Sequence, residues 1–379
     1  MTKSKMSSDK GNELISVADP HTIKKFELIS EYVVAWSQVL MNFDKCTGIV
    51  YIDCMSNSGR YKDNNGNDVD GTALRVANIL ADTMKNYPSK QAYLYFNDKD
   101  AAKIELLGTL LPKQTHNFHV ELESRDASDL LNSISKEFFS QFQNMNFLLL
   151  YDPYVADIDW DALMPYLQHW GEVILTHMVS DPIRAVKVAS RPATIDKYER
   201  TYQTSIDELI ACGSDRKAYE EKIEAIIRNL CGRQQKYYVA SFPFYNSTNA
   251  VIYNLIHCTG HQKGFSLFKA VAWKTFGDKS SGKNTHNDEN QYTLFSTGGN
   301  DFSYGLPTDK NCYRVSDIAE YAQKHFKGRT DVPNDEVWAY IDQHPIFPVL
   351  YYKPKIKESL KRDFGATIKK SSITFADRS

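Results

Sequence analysis

The chain has 379 residues, 42% hydrophobic and 24% charged, with a formal net charge of -2. This is the make-up of an ordinary globular protein, long enough for a large core and one accessory module. The charge balance excludes a globally basic nucleic-acid binder, though not a local basic face.

Residues 1–19 are polar and are expected to form a flexible N-terminus. No apolar stretch follows the first lysines, and no segment approaches about eighteen uninterrupted apolar residues, so neither a secretory signal nor a membrane span is expected. Six cysteines, Cys46, Cys54, Cys212, Cys231, Cys258 and Cys312, stand in no C-x-x-C spacing and read as reduced thiols of a cytoplasmic protein. Asp19-Pro20 opens a helix on which Phe26, Ile29, Val33, Trp36 and Leu40 recur at helical spacing, an amphipathic surface that should cover a sheet. Strand-like runs then alternate with helical patterns. The strands are expected at 48–52, 92–96, 118–122, 147–151 and 171–176, and the helices at 71–84, 101–111, 127–142 and 159–170. Such alternation signifies βαβ units and a parallel sheet. A polar, helix-forming stretch at 186–235 interrupts the rhythm as an insertion. Two strands at 236–242 and 250–256, joined by a link short enough for an antiparallel pair, and a helix at 264–276 complete the main domain.

The expected fold is therefore α/β. It is a doubly wound, mostly parallel Rossmann-like sheet over 20–276 with a terminal antiparallel hairpin, the strand programme of class I methyltransferases. A loop-rich connector spans 277–312. A small C-terminal helical module, with a winged helix as one candidate arrangement, spans 313–379 and ends in a run rich in lysine from Lys353 to Lys370.

Two apolar runs end in acids. Gly48-Ile49-Val50-Tyr51-Ile52 leads into Asp53-Cys54-Met55-Ser56-Asn57-Ser58-Gly59, and Phe147-Leu148-Leu149-Leu150-Tyr151 leads into Asp152-Pro153-Tyr154. Ligands of open parallel sheets bind beyond the carboxyl ends of the strands, so these turns are the candidate site. A nucleotide-like cofactor needs close backbone approach at the first turn. There Gly59 is the one glycine, Asn57 tolerates a left-handed backbone, and Cys54 is small, while Met55 is not; an ordinary strand-to-helix turn is the competing reading. Asp98, at the end of the second strand, suits both hydroxyls of a ribose, or a solvated turn with Lys99 and Asp100. Asp126, after the third, can accept from an adenine amino group or cap the next helix. In Asp152-Pro153-Tyr154 the proline ends the ladder and projects acid and ring outward. Amino-methyltransferases use this pattern to hold a target amine while the ring stacks on a base; a plain β-turn with a packing tyrosine is the alternative. His257 and His261 sit at a strand end rather than on one helix, so no metal site is expected. Neither a G-x-S-x-G elbow nor a P-loop occurs.

His21-Thr22-Ile23-Lys24-Lys25-Phe26, Tyr51-Ile52-Asp53 through Gly59-Arg60-Tyr61, Gly71-Thr72-Ala73-Leu74, Phe96-Asn97-Asp98-Lys99-Asp100, Leu150-Tyr151-Asp152-Pro153-Tyr154 and Tyr253 through Gly264 resemble motifs of the three-Cys-motif partner (TcmP) family. The resemblance covers about residues 21–276. It implies a Rossmann-like methyltransferase fold and S-adenosylmethionine as the ligand. Asp53, Gly59 and Asp98 would stand around that ligand, with Asp152 and Tyr154 facing an acceptor. It also implies a genomic-neighbour partner with three cysteines, an iron–sulfur protein. Relatives carry glycines where this chain has Cys54 and Asn57, and Met55-Ser56 replaces a Phe-Ala pair.

Three functions remain open on this reading. The first is a methyltransferase acting on an amine or nucleobase, including one in nucleic acid. The second is a non-catalytic partner protein working in a complex. The third is a nucleic-acid-binding module using the C-terminal lysines.

Overall fold

The computed structural model describes residues 14–232, 237–283 and 312–377, without the side chains of 137–141. Most of the expected flexible N-terminus and of the 277–312 connector, and the expected strand start at Lys236, lie outside the described residues.

Seven strands form the central sheet: β1 Gly48–Asp53, β2 Gln91–Asn97, β3 Phe118–Glu123, β4 Met145–Tyr151, β5 Gly171–His177, β6 Tyr238–Tyr245 and β7 Val251–Thr259. Their order is β3-β2-β1-β4-β5-β7-β6. β1 to β5 run parallel, while β7 is antiparallel to both β5 and β6. This is the doubly wound, methyltransferase-like sheet expected from the pattern. Burial explains why the strands were readable. All residues of β1 and β5 are buried, because helices cover both faces of the central strands, whereas β2 alternates toward the edge.

One face is covered by α1 Pro20–Met41, α2 Thr72–Met84 and, later in the chain, α10 Gln262–Thr275, through Tyr32, Trp36, Leu80, Phe268 and Trp273. Each such ring or aliphatic chain removed from water contributes about 1.5–3 kcal/mol. Polar keys fix the register of these helices. Trp36 Nε1 donates to Asn146 Oδ1 at 3.2 Å, and Glu172 takes hydrogen bonds from the Tyr32 hydroxyl and, at 2.6 Å, the His257 imidazole. The glycine at 264 is required by this key: a Cβ there would stand 2.4 Å from Glu172 Oε1. The opposite face carries α4 Ala127–Gln141, α5 Trp160–Leu167 and α9 Arg216–Leu230, packed through Leu130, Trp160, Leu163, Ile223 and Ile227. α3 Ala101–Leu110 follows β2, its first turn capped by Asp100, which accepts from the Ala102 amide at 3.1 Å. Between β5 and α9 lie α6 Ser180–Ala185, α7 Pro192–Tyr202 and α8 Ile206–Cys212.

The sixth strand differs from the sequence reading. β6 runs through Pro243 to Tyr245 instead of turning at 243, because it is the outer strand, where a missing amide donor leaves no ladder bond unmade. The turn is pushed on to Asn246–Asn249, with Asn249 in a left-handed conformation (φ 60°). At the C-terminal end, α11 Val315–Phe326, strand 332–333, α12 Asn334–Asp342, α13 Lys353–Phe364 and the hairpin 367–368/372–374 succeed one another. The three short strands pair as one antiparallel sheet. Three helices with a strand after the first and a hairpin after the third make a winged helix. It packs on α10, where Lys269 Nζ donates to the Asp342 and His344 carbonyls (2.7 and 2.9 Å) and Trp273 Nε1 to the Ile346 carbonyl (2.7 Å). Among the described residues no helix is long and apolar enough to cross a membrane.

Candidate functional site

The strand order reverses between β1 and β4, and ligands of open α/β sheets bind in the crevice at such a switch point. Asp53 ends β1, opposite Leu150 of β4, so the Asp152 turn leaves the sheet beside it. Asp98 follows β2 on the other flank of β1. The architecture brings these three acids to one edge of the sheet.

The first turn folds onto its neighbours. Ser56 donates from its amide to the Asn97 carbonyl at 2.7 Å, and Asn97 Nδ2 donates to the Cys54 and Arg125 carbonyls at 3.0 and 2.9 Å. Asn57 takes the left-handed conformation (φ 55°) anticipated for it. Its amide donates to Asp98 Oδ2 at 3.0 Å, and its Nδ2 donates to the Tyr154 hydroxyl at 2.8 Å. Asp98 Oδ1 accepts from the Asp100 amide at 3.0 Å. Gly59 closes the turn at φ 71°, where a Cβ would come within 2.5 Å of Leu107 Cδ1. Asn57 is 0% exposed, and Cys54, Ser56 and Ser58 are buried with it.

Asp53 is 2% exposed. Burial and then the nearby Asp152 carboxylate push its pKa up to about 8; the Met55 amide, 3.2 Å from Oδ1, and Lys25 pull the other way, and Asp98 adds to the rise. Tyr61, in the short sheet 16–17/60–62/68–70, senses the same group. Burial raises its hydroxyl pKa most, followed by Tyr154, Asp152, Asp53 and Asp98. Among the described residues the cation paired with one of these three acids is Lys25, on the first turns of α1, whose ammonium meets Asp152 Oδ2 and lies 5.0 Å from the Tyr253 ring centre. The carboxyl groups therefore outnumber the cations. Among the described residues no three His, Cys, Asp or Glu side chains assemble as a metal cage.

Asp53, Cys54, Met55, Asn57, Gly59 and Asp98 thus belong to one loop system with Asp152, buried Pro153 and Tyr154, a residue 67% exposed whose hydroxyl engages Asn57. Asp126 stands apart. Its side chain is 58% exposed and ion-paired with Lys99 at the start of α4. Lys25, Asn97 and Tyr61 were not singled out from sequence as site residues. Nothing local marks them, since Lys25 meets a partner 127 positions away.

No protein-family model matches the chain, and no curated protein sequence is similar to it. Solved structures with a similar fold include the DUF519 protein LPL1258 of Legionella pneumophila (TM-score 0.40, 11% identity, over 66% of this chain and 91% of that one). Human methyltransferase-like protein 13 in complex with SAH aligns at TM-score 0.31 and 10% identity, over 72% and 97% of the two chains. A loganic acid methyltransferase with SAH aligns at 0.26 and 9%, over 68% and 83%. The resemblance to the three-Cys-motif partner family rests on the sequence motifs alone.

Proposed function

We propose that the protein is an S-adenosylmethionine-dependent methyltransferase whose acceptor is an amine or a nucleobase amino group. The observation that carries this reading is the meeting of Asp53, Asp98 and Asp152 with a single lysine at the switch point, a site short of positive charge. The residues fit a cationic nucleoside in charge and in acceptor chemistry. Asp98 offers carboxylate oxygens to ribose hydroxyls, and Asp53 stands ready to ionise beside an ammonium or sulfonium group. When bound, the cofactor supplies an electrophilic methyl group. Asp152 accepts a hydrogen bond from the acceptor N–H and aims its lone pair, Lys25 fixes the position of that carboxylate, and the exposed Tyr154 ring offers a stacking face. The motifs shared with the three-Cys-motif partner family point to the same cofactor.

One observation favours a second reading, a non-catalytic partner protein. The chain's own Asn57 amide and side chain occupy Asp98 and Tyr154, the groups a ligand would use. Calorimetry with S-adenosylmethionine separates the two. Saturable binding to the intact chain, lost in Asp98→Ala and partly kept in Asp98→Asn, supports the enzyme. No binding to the intact chain refutes it in favour of the partner protein.

A further inference from the structure

The C-terminal winged helix carries a feature that the methyltransferase reading does not use. Residues 353–377 hold seven cationic side chains, Lys353, Lys355, Lys357, Lys361, Arg362, Lys369 and Lys370, against three acids, Glu358, Asp363 and Asp377, in a chain whose overall charge is -2. Their pairing is uneven. Lys355 is held by Asp278 at 2.5 Å, Arg362 by Asp363 at 2.7 Å and Lys369 by Asp331 at 2.7 Å. Lys353, Lys357, Lys361 and Lys370 have no carboxylate partner among the described residues.

The unpaired set is ordered in space. Lys353, Lys357 and Lys361 recur every fourth residue and so share one face of α13 over about 12 Å of helix. The adjoining face, with Ile356, Ser359 and Leu360, is buried in the module, and Lys357 at the border between the two is half-buried while Lys353 and Lys361 are exposed. Two of the three ammonium groups lie 5.7 and 5.6 Å from the Trp338 ring centre, which anchors the start of the stripe. Lys370 sits at the tip of the hairpin that follows, where the Lys369 amide donates to the Ser372 carbonyl at 2.9 Å. A lysine stripe exposed at both ends, with no carboxylate paired to it, favours an anion, and its linear spacing suits a polyanion rather than a single phosphate. Acids elsewhere on the module, Asp335 and Glu336 on α12 and Glu358 on α13, add no pairing to the stripe.

We propose that this face docks double-stranded DNA, with α13 entering the major groove and Lys370 on the hairpin reaching the flanking phosphates. A helix of about 10–12 Å diameter fits the B-form major groove, and α13 keeps Lys353 and Lys361 exposed along it, whereas the A-form groove is too deep and narrow. The docking stands apart from the methyltransferase reading and can fail or hold without it. If both hold, the acceptor amine is a base in DNA.

The test measures anisotropy of a labelled DNA duplex of about two helical turns against the full chain from about 50 to 200 mM salt. Binding is expected to weaken steeply with salt. The triple variant Lys353→Gln/Lys357→Gln/Lys361→Gln should bind roughly 100-fold more weakly near 100 mM, with the log–log salt slope shallower by about 2.7, as three lost phosphate contacts require. The double variant Lys355→Gln/Lys369→Gln, which removes cations already neutralised, should lose much less. Absence of binding to the intact chain at 50 mM, an unchanged slope in the triple variant, or equal losses in the two variants overturns the proposal. Equal affinity for an RNA duplex of the same sequence overturns the groove assignment. Unchanged S-adenosylmethionine binding in the triple variant supports a docking role separate from the switch-point site.

Discussion

Replacing Asp53 by asparagine should make the protein more stable as the pH rises. The carboxyl is buried at the end of β1, and its pKa is pushed from an ordinary 3.8 up to about 8, first by burial and then by Asp152. Between those values the folded chain keeps a proton that the unfolded chain has released. Folding stability therefore falls with pH, by about 1.4 kcal/mol per pH unit, fully present as a loss above about pH 8 and absent below about pH 4. Integrated over that window the penalty is about 6 kcal/mol, and relaxation around a coupled buried pair brings the expected figure to about 3–6 kcal/mol. Asparagine cannot ionise, yet its Oδ1 can still accept from the Met55 amide at 3.2 Å. Urea unfolding of the parent and Asp53→Asn, at pH 5 and pH 8.5, reads the difference directly. The variant should gain several kcal/mol relative to the parent across that interval. A difference constant to within about 1 kcal/mol, or one that favours the parent at high pH, refutes the account of Asp53 as a buried acid facing Asp152.

Lys25→Met should cost about 1–3 kcal/mol, below the value for a fully enclosed pair because Asp152 remains partly exposed. A double-mutant cycle with Asp152→Asn should recover part of the loss, and additive losses would show that the pair is not coupled. Gly59→Ala should cost about 2–4 kcal/mol, since it combines a left-handed backbone with a 2.5 Å approach to Leu107. Adding Leu107→Ala relieves only the contact, so in urea unfolding the glycine substitution should still destabilise the Leu107→Ala background, by about 1 kcal/mol.

The sheet was legible because its central strands are covered on both faces and so appear as unbroken apolar runs such as Phe147 to Tyr151. The short strands at 16–17, 60–62 and 68–70 were not, since two or three residues carry no period. Pro243 read as a strand end because sequence does not disclose which strand lies at the edge. In the site, acids at strand ends announced themselves by position. Lys25 did not, because a lysine on an amphipathic helix looks solvated until the fold brings Asp152 to it. Asp126 had the same local signature as Asp98 and met a different outcome, a surface pair with Lys99. The C-terminal lysines were legible as a basic run, but which of them stay unpaired emerged only once Asp278 and Asp331 were found to hold Lys355 and Lys369.

Asn97 joins three segments through one residue. Its carbonyl receives the Ser56 amide and hydroxyl, its Nδ2 reaches the Cys54 and Arg125 carbonyls, and its Oδ1 receives the Arg125 amide at 3.1 Å. The turns after β1 and β3 are thereby latched to a common pin and share one opening equilibrium. A molecule that pries the Asn57 turn away from Asp98 must strain the Arg125 turn as well, so entry at one rim of the crevice is felt at the other.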